Sequence, residues 1–312
     1  MSVKIGYLLP TRERIMEGHS EARTLLALAE KAEDLGFDSV WVGDSITARP
    51  RHEPMTLLSA VAARTTRVEL GTAVLVPALR NPVVLAHQIA TLDQISEGRV
   101  ILGVGIGIDA PSIHAEFEAV GVPFEKRVGR MLEGLRLCRA LWTADSVHWD
   151  GRWRLDGVDL GPKPARPGGP PIWGAGSTPA GLKRVARHFD GWLPNGPGDG
   201  AGWGAQWAML RDDARRAGRE ASEITGATYL TIAVAETVER GEERLMEYLT
   251  AYYGPLARRM RDEGAFYAGP AEGMVEWVNG FVSAGASHLV LRFAGDPEPQ
   301  LEAVAGVRAR IG

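Results

Sequence analysis

The chain has 312 residues, 45% of them hydrophobic and 24% charged, which is typical of a globular protein with a sizeable core. A formal net charge of -4 and the lack of a basic run interleaved with aromatics argue against a nucleic-acid partner. The N-terminal stretch MSVKIGYLLPTRER reaches charged residues too soon for a secretory leader or a membrane span. We therefore expect a cytoplasmic protein with no membrane partner.

Short β-branched runs alternate with amphipathic segments along the chain, as parallel strands joined by helical crossovers require. Eight strands are predicted, at 3–9, 39–43, 68–76, 100–105, 171–176, 191–195, 225–234 and 288–293. The predicted helices cover 21–35, 55–65, 82–96, 125–142, 179–188, 203–217, 242–263, 271–284 and 298–310. Eight such units in a chain of this length predict a (β/α)8 TIM barrel, as one domain over residues 1–312.

An insertion between strands four and five, over about 109–170, interrupts this alternation. It contains the helix 125–142, a hairpin VHWDGRWRL that turns at Asp150-Gly151, and the loop GPKPARPGGPP. We expect this insertion to cover the barrel mouth. The single cysteine, Cys138, lies in helical register with Met131 and Leu135, which predicts core packing and excludes an intrachain disulfide.

The segments that leave the carboxyl ends of the strands are rich in glycine, alanine and serine, and a TIM barrel builds its active site there. Such exits predict a roomy apolar cavity for a planar ligand that carries a phosphate. The seven histidines show no spacing suited to a metal site, so no metal is predicted. His114 in SIHAEF lies at the predicted mouth, where a substrate role and a loop role are both open.

The best phosphate candidate is the stretch IWGAGSTPAGL, where a strand leads into a helix that begins at Pro179. Free backbone N–H groups, the Ser177 and Thr178 hydroxyls and the helix dipole would together bind an anion. An ordinary N-cap made by Ser177 or Thr178 explains the same residues. The sequence of this stretch alone leaves the two interpretations open.

Longer motifs give a specific resemblance. AEKAEDLGFDSVWVGD, RVELGTAVLVPALRNPVVLAHQIATLDQISEGRVILGVGIG, VPFEKRVGRMLEGLRLCRALWT and PIWGAGSTPAGLKRVARHFDGWLP follow one another along nearly the whole chain. In this order they resemble the bacterial luciferase-like superfamily of flavin- and coenzyme F420-dependent oxidoreductases. The resemblance implies an enzyme that passes a hydride or oxygen from a reduced cofactor to a small organic substrate.

The resemblance also implies site residues. Members of the superfamily carry a non-prolyl cis peptide behind the flavin ring, which here would be the bond between Ala73 and Val74. Ser45 departs from the histidine that follows the acidic residue in several deazaflavin-dependent dehydrogenases, which puts alcohol oxidation of that kind in doubt. The implied cofactor-binding residues are Asp44, Ser45, Ala73, Val74, Gly105, Gly107, Asp109, Ala175, Gly176, Ser177 and Thr178. Asp44 and His114 are the candidate catalytic residues.

The identity of the cofactor, FMN or F420, stays open at this point. Composition and the short insertion favour the deazaflavin F420, whereas the missing histidine and the lack of a cationic cluster for a polyglutamate tail favour FMN. The resemblance further implies a homodimer and a separate reductase that supplies reduced cofactor. The alternatives are a non-catalytic flavin-binding relative and a phosphate-binding barrel isomerase or aldolase, although no Lys or Glu base stands at the exits of strands five to seven.

Overall fold

The computed structural model describes residues 3–312, in which strands and helices alternate around a closed parallel sheet. The strands are β1 Lys4–Leu8, β2 Ser39–Val42, β3 Glu69–Thr72, β4 Val100–Val104, β5 Val147–Asp150, β6 Arg154–Val158, β7 Ile172–Gly174, β8 Gly191–Trp192, β9 Thr225–Val234, β10 Phe266–Gly269 and β11 His288–Phe293. The helices are α1 Thr11–Met16, α2 Arg23–Asp34, α3 Pro54–Ala62, α4 Pro82–Ile95, α5 Pro111–Ala119, α6 Arg127–Thr143, α7 Pro179–His188, α8 Gly200–Arg216, α9 Val238–Tyr253, α10 Ala257–Glu263, α11 Ala271–Ser283 and α12 Pro297–Val307.

Eight of the strands form the barrel in the order β1-β2-β3-β4-β7-β8-β9-β11, and β11 pairs with β1 to close it. Every neighbouring pair is parallel, so the helices cross over outside the sheet. Apolar side chains from seven of the eight barrel strands or their ends fill the interior: Leu8, Trp41, Ile101, Trp173, Leu193, Ala227 and Val290. The predicted TIM barrel and all eight of its predicted strands are confirmed.

The helix boundaries follow local capping chemistry. The Asn81 side chain accepts a hydrogen bond from the Val83 N–H at 2.9 Å, and Pro82 occupies the first turn of α4, where its missing N–H costs nothing. Thr178 caps α7 through the Gly181 N–H at 3.1 Å. These caps fix where the helices begin at the carboxyl ends of the strands, which is the end of the barrel that carries the site.

Four features depart from the predictions. The helix predicted over 242–263 is two helices, because Gly254 with a φ of 58° ends α9 and a short 3₁₀ turn precedes α10. The strand β10 lengthens the sheet beside the protruding end of β9, with Phe266 opposite Thr231. The helices α1 and α5 are not among the predicted helices.

Residues 109–170 contain the predicted hairpin, formed by β5 and β6, and the predicted long helix, α6. The hairpin packs on α6, since Glu133 accepts a hydrogen bond from the Arg152 N–H and Arg130 lies over the Trp153 ring. The unpredicted α5 is the part of this segment that borders the mouth cavity, through Ile113, Glu116 and Phe117. The single-domain assignment and the wider covering role of the insertion stay predictions.

Cys138 is fully buried on α6, and its Sγ lies 3.3 Å from the Pro82 carbonyl oxygen. Burial raises the pKa of this thiol to about 12. The predicted core role of Cys138 is therefore confirmed. Within residues 3–312, no helix is both long enough and apolar enough to cross a membrane.

Candidate active site

A cavity of about 310 Å³ opens at the carboxyl ends of the barrel strands. One half of its wall consists of residues that follow β2, β3, β4 and β7, many of them small, together with α5. Arg49 and Arg51 from the loop after β2 also line the cavity. The other half consists of larger polar residues from β9, β11 and the end of α9. The cavity has the size of a small-molecule site and the position that TIM-barrel enzymes use.

The cavity wall after β3 and β4 is formed largely by the backbone and by residues without large side chains. The peptide bond between Ala73 and Val74 is cis, as the resemblance implies, and both residues line the cavity. A Cβ added at Gly105 would lie 2.7 Å from Cγ2 of Val74, so only glycine fits there. Gly107 has a φ of 74° and turns the chain away from the cavity toward α5. Gly105 and Gly107 therefore place no side chain in the slot, while Ile106 and Ile108 line the same cavity.

Asp44 fixes the same wall from β2. Its carboxylate is almost fully buried, forms an ion pair with Arg80 at 2.6 Å and accepts a hydrogen bond from the Val76 N–H at 2.9 Å. Burial lowers the pKa of Arg80, but its hydrogen bond and charge contact with Asp44 outweigh this effect and raise it. Both oxygens of Asp44 are thus engaged in tying the exit of β3 to the exit of β2.

Glu116, which belongs to the same SIHAEF stretch as His114, holds the loop after β2 in place. One of its oxygens accepts hydrogen bonds from Ser45 Oγ at 2.7 Å and from the backbone N–H groups of Ile46, Thr47 and Ala48. Burial raises the pKa of this carboxyl, but the four hydrogen bonds favour its charged form, and the net shift is downward. Ser45 therefore borders the cavity as part of a buried network.

The predicted phosphate loop lies at the far end of the slot, where Ala175 and Gly176 line the cavity. Within the described chain, the N–H groups of Gly176, Ser177 and Thr178 donate to no acceptor. The indole Nε1 of Trp192 donates to the Gly176 carbonyl oxygen at 3.0 Å and stacks on Trp207. Thr178 caps the helix, so the capping and the anion-binding interpretations are compatible.

Asp109 and His114 lie outside the residues that line the cavity. Their side chains contact each other at 2.8 Å, and both are exposed, 79% for Asp109 and 47% for His114. The His114 ring packs on Phe124 with 3.9 Å between the centroids. The roles predicted for this pair stay predictions, but the geometry separates both side chains from the slot.

The sequence analysis missed a group of tyrosines and arginines on the opposite wall. Arg292 at the end of β11 is 4% exposed, and its guanidinium lies over the rings of Tyr229, Tyr248 and Tyr252 at about 5 Å. It donates hydrogen bonds to Thr231 Oγ1 and, at 3.4 Å, to Tyr253 Oη. Within residues 3–312 no carboxylate forms an ion pair with Arg292, which leaves a buried positive charge at the mouth.

A second cavity of about 670 Å³ lies behind this wall, between α1, α9 and the start of α12. Tyr252 and Arg292 line both cavities, so these two side chains form the boundary between them. The hydroxyl of Tyr7, which is 1% exposed, lines the second cavity and has no hydrogen-bond partner in the described part of the chain. The two cavities give the mouth room for two ligands side by side.

Arginines also gather between α6 and α7, although the sequence contains no contiguous cationic run. Burial and the charge of Arg127 lower the pKa of Arg184. Burial and the charges of four arginines, among them Arg136 and Arg184, lower the pKa of His188. The sequence shows no contiguous run of these cations, because Arg127 and Arg136 lie on α6 whereas Arg184 and His188 lie on α7, about 50 residues further along the chain.

No three His, Cys, Asp or Glu side chains of residues 3–312 converge as metal ligands. A parallel (β/α)8 barrel with a slot between β3 and β4 and unpaired N–H groups at a helix start has the form of a phosphate-anchored cofactor site. These features define the class as a TIM-barrel oxidoreductase with a flavin-type cofactor. The chain belongs to the luciferase-like monooxygenase family, whose model matches residues 3–311. The predicted family and the predicted oxidoreductase function are confirmed by this membership.

Relatives at the sequence level include the F420-dependent glucose-6-phosphate dehydrogenase of Nocardia farcinica (strain IFM 10152). It is 31% identical over 304 residues, which cover 88% of each chain. The enzyme of the same name from Amycolatopsis mediterranei (strain U-32) is 33% identical over 242 residues, covering 75% of this chain and 71% of that one.

Solved structures share the fold. An F420-dependent secondary alcohol dehydrogenase in complex with an F420-acetone adduct matches with a TM-score of 0.85 and 23% identity over the whole of both chains. The long-chain alkane monooxygenase LadA matches with a TM-score of 0.82 and 17% identity, covering 99% of this chain and 92% of that one. At these identities the likeness concerns the fold alone.

Proposed function

We propose that the protein binds coenzyme F420 in the mouth cavity and transfers a hydride between F420 and a small organic substrate. The observation that carries this proposal is the slot beside Val74 and Gly105, together with the unpaired N–H groups of Gly176, Ser177 and Thr178 at the start of α7. The F420-dependent dehydrogenases among the relatives support the same cofactor.

The slot suits the planar ring system. Ala73 and Val74 would support one face of the ring, and Gly105 and Gly107 allow close approach because they have no side chain. Asp44 and Ser45 border the cavity but are held by Arg80 and Glu116, so we assign them to shaping the slot. When bound, a reduced deazaflavin supplies a hydride and does not activate oxygen.

The start of α7 suits the phosphate. The N–H groups of Gly176, Ser177 and Thr178 are unpaired and lie at the start of the ten-residue helix α7. The positive end of the helix dipole is at the same place, so both features favour an anion. Ala175 continues this loop into the cavity wall.

The cationic cluster favours F420 over FMN. A polyglutamate tail extends beyond the phosphate and needs positive charge to follow, whereas FMN ends at its phosphate. Arg127 and Arg184 form no ion pair in the part of the chain that the structure describes, so their charges are available to such a tail. The absence of a contiguous cationic run therefore does not count against the deazaflavin.

The remaining partner assignments rest on less. Val84 and Ile95 on α4 are exposed, 56% and 45%, which supports a homodimer formed through the helices next to the second and third strands. A separate reductase and a cytoplasmic location stay predictions.

Cofactor titration tests the proposal. The apoprotein is titrated with F420, FMN and reduced FMN while tryptophan fluorescence is followed, because Trp192 contacts the phosphate loop. We expect F420 to bind most tightly. Ser177→Asp and Gly176→Asp should each weaken F420 binding by at least about 100-fold, because a carboxylate repels the phosphate.

Gly168→Asp is the matched control, since Gly168 also has a positive φ, 85°, and a Cβ there would meet nothing within 4 Å. It should leave F420 binding unchanged. Tighter binding of FMN than of F420 would reject the cofactor, and unchanged F420 binding by Ser177→Asp would reject the phosphate site.

A further inference from the structure

Tyr252 occupies the boundary between the two cavities. It lies in the last turn of α9, it is 9% exposed, and it lines both the slot cavity and the larger cavity behind it. Under the proposed function, a ring in the slot and a substrate in the larger cavity would meet at this side chain. A polar group at such a boundary is in position to touch the reacting atoms.

Three guanidinium groups surround Tyr252. The Cζ atom of Arg12 lies 3.8 Å from the centroid of its ring, and that of Arg292 lies 4.8 Å from it. Arg51, in the loop after β2, lines the slot cavity together with Tyr252, and its charge acts on the Tyr252 hydroxyl. The opposing charge is Glu13 on α1, which accepts a hydrogen bond from Tyr248 Oη at 2.5 Å. The titratable and charged groups that face Tyr252 are Arg12, Glu13, Arg51, Tyr229, Tyr248, Tyr253 and Arg292.

The balance of these charges favours the phenolate. Burial and Glu13 raise the pKa of Tyr252, but Arg51, Arg292 and Arg12 together lower it below the usual value for tyrosine. Burial instead raises the pKa of Tyr229 and Tyr248, which lie beside it. Tyr252 is thus the member of this group that can release a proton most easily.

The other polar side chains at the mouth are engaged elsewhere. Asp44 is paired with Arg80, Ser45 donates to Glu116, and His114 lies outside the cavity lining. The position after Asp44, where related dehydrogenases place a histidine base, is therefore held by a hydroxyl that is already hydrogen-bonded. A proton that moves during the reaction needs a different group.

We infer that Tyr252 is the catalytic acid and base of the hydride transfer, an inference that rests on the proposed function. In the reducing direction, Tyr252 Oη would give its proton to the oxygen of a substrate carbonyl as the π bond breaks and the carbonyl carbon accepts a hydride, which a bound reduced deazaflavin would supply. The substrate gains two electrons and two hydrogens, and the cofactor is oxidised. The phenolate, held beside Arg51 and Arg292, takes a proton from water. In the oxidising direction, the phenolate accepts the alcohol proton as the hydride leaves.

The first test needs neither cofactor nor substrate. The chain has six tyrosines, so apoprotein labelled with ¹³C at tyrosine Cζ gives few signals to follow through a pH titration. The signal lost in Tyr252→Phe should titrate below about 10, the value of a free tyrosine, and should move to higher pH in Arg292→Met. Titration of that signal at or above about 10 in the wild-type protein would overturn the inference.

The second test is kinetic, with reduced F420 and with acetone or cyclohexenone as the acceptor. Tyr252→Phe should lower kcat by about 100-fold or more and leave the Kd for F420 within about twofold. Tyr267→Phe is the matched control, since Tyr267 lies outside both cavities and donates to the Pro270 carbonyl oxygen. A kcat that the Tyr252 variant leaves unchanged would also overturn the inference. Failure of F420 to bind wild-type protein would reject the proposed function and leave the apoprotein titration to judge Tyr252.

Discussion

The wall of the mouth formed by β2, β3, β4 and β7 is lined by small residues and fixed by buried carboxylates, whereas the wall formed by β9, β11 and α9 is lined by tyrosines and arginines. The first wall is held by contacts between separate loops, as in the four hydrogen bonds that Glu116 accepts from Ser45 to Ala48. The second has a buried cation, Arg292, without an ion-pair partner among residues 3–312. We infer from this difference that the first wall sets the shape of the ligand site and that the second wall supplies positive charge to the reaction.

The largest effect is expected from a substitution at Asp44, whose ion pair with Arg80 holds the first wall in place. Asp44→Asn keeps the shape of the side chain but leaves the buried Arg80 without its main partner, which costs about 3 kcal/mol of stability. The midpoint of urea unfolding measures the loss. Asp156→Asn, in an exposed pair of the hairpin, should cost at most about 0.5 kcal/mol. Equal midpoints for the two variants would show that Asp44 is not a structural anchor.

A smaller and pH-dependent effect is expected at Glu116. Because its folded pKa lies below the unfolded value of about 4.3, the charged carboxylate stabilises the fold above that pH, and the contribution is lost as the pH falls through the folded pKa. Glu116→Gln should therefore cost about 2 kcal/mol at pH 7 and progressively less below about pH 4.

Urea unfolding at pH 7 and at pH 3.5 measures this difference. Glu118→Gln is the control, because Glu118 is exposed on the same helix. A cost for Glu116→Gln that is the same at both pH values would show that its hydrogen bonds do not depend on charge.

The smallest effect is expected at His114, which lies at the rim of the mouth, outside both walls. His114→Ala removes an exposed contact with Asp109, so it should change stability by about 0.5 kcal/mol or less and F420 affinity by less than about twofold. Thermal unfolding and the fluorescence titration measure both. A large loss of affinity would return His114 to the site.

The barrel could be predicted from sequence because each strand is a short apolar run and each crossover has its own turn residues, such as Asn81 before α4 and Gly36 after α2. The strand β10 could not, because Phe266–Gly269 is short and is stabilised by pairing with β9, a contact more than 30 residues away. The break at Gly254 could not be predicted either, because it depends on one positive φ inside an otherwise periodic pattern.

The site divides in the same way. The slot and the phosphate loop follow from contiguous motifs, and their residues stand at the ends of predicted strands. The pairing of Glu116 with Ser45, and the gathering of Arg12, Arg51 and Arg292 around Tyr252, bring together residues that are tens to hundreds of positions apart. Each of these residues alone resembles an ordinary surface or core residue, so the sequence carries no local signal for the group.

Cys138 has a practical consequence for experiments on this enzyme. Its sulfur is buried against Pro82 at the start of α4 and is protonated at neutral pH. We therefore expect that thiol reagents do not modify it in the native protein. A cysteine introduced at an exposed rim position would then be the sole reactive handle. A dye or spin label attached there could follow how the edge of the mouth responds when ligands arrive, without first redesigning the interior.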